Sequence, residues 1–119
     1  MLERAFVEQF AAEWVAAWNS HDLEAILSHY TDDFEMTSPV ITQITGEPSG
    51  KLKGKQHVGA YWSKALQRIP DLHFDLITIL WGVDTITLYY TGHRGFSAEV
   101  FFLDESGMVF KSVAHYATL

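Results

Sequence analysis

Glu99 stands in the strand-like run Phe96-Ser97-Ala98-Glu99-Val100-Phe101-Phe102-Leu103, surrounded by apolar and aromatic neighbours. A carboxylate in such company loses its water. Its pKa then rises towards the range in which a proton can be given and taken back near neutral pH. Further along, His115 lies between Ala114 and Tyr116. An imidazole reaching across from the neighbouring strand would complete an acid–base pair. Strand alternation leaves two arrangements open. Phe110, Ser112, Ala114 and Tyr116 share one face, and Val109, Lys111, Val113 and His115 share the other. If the first set lines a pocket, His115 faces outward towards a partner copy; the second arrangement gives it to Glu99. Glu99 and His115 are the candidate catalytic residues.

The remaining polar groups have plainer readings. Asp32 and Asp33 cap a turn, and His29 and Tyr30 end a short helix. His93 and Arg94 fall at a hairpin tip and are expected in solvent, as are Lys51, Lys53 and Lys55 in a Gly-rich loop. None of the six His forms a His-x-x-x-His or His-x-His pair, and there is no cysteine, so neither a metal site nor a disulfide is expected. Gly-x-Gly-x-x-Gly, phosphate-loop and Gly-x-Ser-x-Gly motifs are missing. That leaves no support for a nucleotide or for a nucleophile elbow, and no cofactor is expected.

These groups must be positioned by the elements around them. Leu2, Phe6, Phe10, Trp14 and Trp18 recur every fourth residue, which predicts an amphipathic helix from about Glu3 to Asn19. Asn19-Ser20-His21 breaks it, and Asp22 is a fitting cap for a second helix from Leu23 to Tyr30. A turn at Thr31-Asp32-Asp33 leads into a strand from Phe34 to Ser38. The stretch from Pro39 to Gly54 reads as a loop, taken as a rim or flap over a pocket. A third helix follows from about Lys55 to Ile69 and stops at Pro70. Four strands joined by short turns close the chain: Leu72 to Leu80, Thr85 to Thr91, Phe96 to Leu103 and Met108 to Thr118. Their short turns predict an antiparallel meander. The order ααβαββββ predicts a single α+β domain over residues 1–119, with helices on one face of a curved sheet.

Composition narrows the function. The chain has 119 residues, which is one core's worth, and aromatic residues make up 14% of it, which suits a domain lined by rings. A net charge of −7 without a basic run argues against nucleic acid. No apolar run approaches the ~20 residues that span a bilayer. Met1-Leu2-Glu3-Arg4 leads straight into the helix pattern and does not form a signal peptide, so a cytoplasmic protein is expected.

The grammar from Trp14 to Phe34 (helix, capped break, short helix, strand) resembles the nuclear transport factor 2-like superfamily, and Asn19, Asp22, Leu23, Asp32, Asp33 and Pro39 match its ketosteroid isomerases. The resemblance implies a cystatin-like cone in which a curved antiparallel sheet and three helices enclose a pocket. It also implies a homodimer packed through the outer face of the sheet. At the isomerase's functional positions this chain differs. Ser38 stands where the proton-shuttling aspartate precedes the proline, and Trp14 replaces the donor tyrosine. Glu99 falls near the acid that is kept protonated. The chain is more similar to SnoaL-like proteins, through Ser38-Pro39, the run from Pro48 to Lys55, Ile69-Pro70-Asp71-Leu72-His73-Phe74, Gly82-Val83-Asp84, His93-Arg94-Gly95 and Ala114-His115-Tyr116. The expected ligand is a small apolar molecule. Its expected contacts are Trp14, Trp18, Tyr30, Phe34 and Ser38 from the first half of the chain, and Trp62, Leu66, Phe101 and Tyr116 from the second. The chemistry implied is cofactor-free proton transfer, as in isomerisation, cyclisation or dehydration. The alternative is a non-catalytic ligand-binding or dimerisation domain.

Overall fold

A computed structural model describes residues 1–119. Helix α1, Arg4–Asn19, turns Val7, Phe10, Ala11, Trp14, Ala17 and Trp18 inward at helical spacing. It ends where the sequence breaks the pattern. His21 there adopts a left-handed φ of 57°. The break also fastens a distant segment. Asn19 donates to the Phe74 carbonyl at 3.0 Å and accepts from the Phe74 N–H at 2.7 Å, while His21 Nε2 lies 2.8 Å from the Leu72 carbonyl. Asp22 caps α2, Leu23–Leu27, by accepting from the Ala25 N–H.

Helix α2 is shorter than its pattern predicts, and strand β1, Tyr30–Thr37, begins where the helix was expected to end. Thr31, Asp32 and Asp33 are a bulge within that strand and not a turn between elements. Tyr30 pairs with Val109 but Glu35 pairs with Lys111, so Thr31, Asp32 and Asp33 bulge outward between Tyr30 and Phe34. Tyr30 and Phe34 both stay fully buried on either side of this bulge.

The expected Pro39–Gly54 loop holds two elements. Helix α3 spans Pro39–Thr45, capped by Ser38, whose hydroxyl accepts from the Val40 N–H, and closed by Gly46 in the left-handed conformation. Strand β2, Lys51–Lys53, then pairs antiparallel with β1. Helix α4 spans Lys55–Arg68, and β3 Asp75–Trp81, β4 Thr85–Gly92, β5 Gly95–Leu103 and β6 Val109–Tyr116 complete the chain.

The six strands lie in the order β2-β1-β6-β5-β4-β3. β3 to β6 form the predicted antiparallel meander. β1 joins β6 in parallel, so the sheet is mixed at that seam. Helices cover its inner face, where rings interlock: Phe10 meets Phe101 at 5.0 Å, Tyr30 meets Phe34 at 4.3 Å and Trp18 meets Trp62 at 5.2 Å between centroids. The α+β domain expected from the element order, and the cone that the resemblance implies, are the fold observed, with α3 and β2 added. No helix is long and apolar enough to cross a membrane.

Candidate active site

A gap in the core lies between α1, α4 and the inner faces of β4, β5 and β6. Ser97, a small side chain on the inner face of β5, leaves room there, while Phe101 and Leu103 fill the other end of the same face. The resulting cavity has a volume of about 110 Å³, close to the space one aromatic ring needs. Trp14 and Trp18 of α1 form one wall, and Tyr61, Trp62, Ala65 and Ile69 at α4 form another. Leu72 and Phe74, the residues held by His21 and Asn19, contribute to a third.

Glu99 is 4% exposed and lines this cavity. It pairs with Leu88 across β4 and with Ala114 across β6, which places it on the inner face of the sheet. Tyr90, diagonal to it on β4, donates its hydroxyl to Glu99 Oε1 at 3.4 Å. Burial pushes the Glu99 pKa from its ordinary 4.5 up to about 8, against the lowering effect of the Tyr90 hydroxyl. The group is therefore chiefly a neutral carboxylic acid at pH 7, able to donate a proton into the cavity. Burial, followed by the negative charge Glu99 would carry, holds the Tyr90 phenol well above its ordinary range and raises Tyr116 as well. Burial also lifts Tyr61 to about 12. These phenols remain hydrogen-bond donors at physiological pH. No cluster of three His, Asp or Glu side chains with the reach to hold a metal ion is present.

The structure brings together Trp14, Trp18, Ser38, Trp62, Glu99 and Tyr116 of the residues singled out from sequence. It separates the others. His115 is exposed, because Ser112, Ala114 and Tyr116 take the inner face of β6 and His115 alternates outward. It pairs with Ala98 and cannot partner Glu99 from the opposite face of the sheet. Tyr30, Phe34 and Phe101 are fully buried in the packed core beside the cavity, and Leu66 packs against that core. Trp14 lines the cavity, but its indole N–H is spent on the Tyr30 hydroxyl at 3.1 Å. The indole N–H of Trp18 is buried without a protein partner.

Sequence reasoning missed Tyr90, the one side chain bonded to the acid, and Arg94 and His93 at the cavity rim. A signal for Tyr90 was present: Ile86, Leu88 and Tyr90 alternate on β4, and all three are buried. Arg94 carried no such signal, since a hairpin tip is by default solvated.

The SnoaL-like domain family matches residues 11–117. A comparison with curated proteins gives no match. Among solved structures, a SnoaL-like protein of unknown function from Burkholderia thailandensis is 56% identical, with 97% of each chain covered and a TM-score of 0.94. SalBIII, an epoxide hydrolase/cyclase-like enzyme with a role in pyran ring formation in the polyether salinomycin, is 14% identical over 98% of this chain and 95% of its own, with a TM-score of 0.78. A protein of unknown function with a cystatin-like fold from Methylobium petroleophilum is 16% identical over 99% of this chain and 80% of its own, with a TM-score of 0.77. The last two share the fold alone. With the match running over nearly all of its length, the chain belongs to the SnoaL-like family.

Proposed function

We propose that this protein binds a small, chiefly apolar molecule in the cavity and moves a proton on it with Glu99, without a cofactor. The observation that carries this reading is a buried carboxyl facing an aromatic cavity, with a single side-chain partner, Tyr90. Near pH 7 the neutral acid donates to a carbonyl, hydroxyl or epoxide oxygen and stabilises the charge that develops there. As a carboxylate it takes a proton back. Tyr90 donates to Oε1 and no other protein group bonds the carboxyl, so its remaining hydrogen-bonding capacity is open to the ligand. Isomerisation, cyclisation and dehydration all fit this device, and SalBIII shows that a protein of this fold is an epoxide hydrolase/cyclase-like enzyme. Ser38 caps α3 with its hydroxyl, and an alcohol is too weak a base to do the work of a carboxylate at that position.

The same reading takes the working unit as a homodimer. On the outer face of the sheet Tyr89 and Phe96 stack in the open at 5.9 Å, beside the half-buried Val100 and Phe102. Contiguous apolar surface of this kind favours a second copy over water.

The test is ligand binding followed across pH with a panel of cyclic ketones and phenols, read from the cavity tryptophans. Binding that weakens as pH rises through about 8, and loses that dependence in Glu99→Gln, supports the acid. Binding with no pH dependence in the native protein rejects Glu99 as the group the ligand meets. Equal binding by Glu99→Gln with no turnover of any bound compound favours the non-catalytic reading.

A further inference from the structure

Arg94 stands in the cavity wall without a counter-charge. It sits at the tip of the β4–β5 hairpin, is partly buried, and lines the cavity together with Tyr61 and Tyr116. The ion pairs of the protein join Arg4 to Glu8, His29 to Glu13, Lys51 to Glu35, Lys55 to Asp32 and His73 to Asp75, and none uses Arg94. Nor does Arg94 lie over a ring, as Arg4 does on Trp81 and Lys111 on Phe102. Lys53, Lys64 and Arg68 are also outside any ion pair, but they are exposed on the surface, whereas Arg94 is partly buried against the cavity. Its nitrogens keep access to solvent, so they are open to an incoming anion. The planar guanidinium fork is shaped to receive a carboxylate through two hydrogen bonds.

The cavity has two ends. Arg94 lines it with Tyr61 and Tyr116, next to the exposed His93, and its charge works against burial on both phenols. Glu99 lies further along β5, is 4% exposed, and has the Tyr90 hydroxyl as its side-chain partner. From Gly95 to Glu99 the chain runs along β5 for roughly 13 Å of backbone. A cation thus marks the mouth and a neutral acid marks the interior, with rings between them.

We propose that the ligand is an apolar molecule bearing a carboxylate, which Arg94 holds at the cavity mouth while the body of the molecule reaches Glu99. The inference rests on the cavity being the ligand site, and adds the chemical class of the ligand and the residue that selects it. Arg94 is then a specificity determinant, and an amide of the same shape is a poor ligand.

The probes are 3-phenylpropionate and 3-phenylpropanamide, each a single ring on the same short chain, with the anionic carboxylate of the first replaced by a neutral amide of similar shape in the second. Binding is followed by the indole N–H resonances of Trp14, Trp18 and Trp62 in the full-length protein. The expected result is a ~10-fold preference for the acid in the native protein. Arg94→Gln brings the acid down to the affinity of the amide, and Arg94→Lys keeps part of the preference. Equal affinities in the native protein overturn the role of Arg94 while leaving the cavity as a ligand site, and this comparison needs no variant to fold. Retention of the preference in Arg94→Gln overturns it too. If neither probe moves the indoles, the cavity reading fails and the inference falls with it.

Discussion

Ionising Glu99 inside the folded protein is unfavourable, and this has a consequence for stability. The folded state holds its proton up to about pH 8, whereas an exposed glutamate releases it near 4.5. Between those values the folded chain binds more protons than the unfolded one, so stability falls as pH rises from 4.5 to about 8 and levels off above. Across that window the loss from this one group is of order 3–5 kcal/mol. Glu99→Gln keeps the shape and removes the titration. Urea denaturation of both proteins from about pH 5 to pH 9 will show a decline in the native protein that the variant lacks. A native protein without this difference from the variant would mean that Glu99 ionises freely. Once a substrate is found, the same variant is expected to lose ~100-fold in turnover. The candidate acid was legible because the run around it is apolar on both strand faces. The burial of its partner Tyr90 was legible from alternation with Ile86 and Leu88, but the contact between the two was not, because a diagonal pair exists only once the β4–β5 register is known.

At the scale of elements, the break after α1 does more than end a helix. Asn19 mimics a strand edge for Phe74, giving and receiving a hydrogen bond, and so sets the angle at which the chain enters β3 past the cavity. Asn19→Ala orphans both backbone groups and is expected to destabilise the fold by about 2–3 kcal/mol in chemical denaturation, and to weaken ligand binding. A neutral result would assign the placement of Phe74 to packing alone. Trp14, 1% exposed and stacked on Phe74 at 5.4 Å, anchors the opposite side. Trp14→Ala should remove ~3–5 kcal/mol and enlarge the cavity; a near-neutral effect on both would contradict its place in the wall. The helices and the meander were readable from spacing and turn residues. Helix α3 was also written in the chain, as Ser38-Pro39 at its start and Gly46 at its end, but it is short enough to pass for loop. The parallel seam between β1 and β6 was not readable, since nothing local to either strand encodes a pairing across most of the chain. His115 illustrates the same limit. Alternation offered two faces, and the choice between them was made by the pairing of β6 with β5.

For the molecule as a whole, the two faces of the sheet divide the work. The inner face carries Glu99, Tyr90 and Tyr116 into the cavity, and the outer face carries Tyr89, Phe96, Val100 and Phe102 towards solvent or a partner. Light scattering at micromolar concentration is expected to give twice the chain's 13.5 kDa. Val100→Asp, on the outer face of a central strand, should shift the protein to monomer without altering the cavity resonances. A native monomer at that concentration would mean that the outer face is simply tolerated in water. His115 is exposed on the same outer face, away from the cavity, and a dimer through that face would place it near the interface.

A carboxylic acid kept neutral in an aromatic cavity has a direct spectroscopic signature. It is read by a carbon-13 NMR titration of the Glu99 side-chain carboxyl, identified by its loss in Glu99→Gln. A midpoint near 8 is expected. A midpoint at the ordinary 4.5 would contradict it and leave the cavity without its acid.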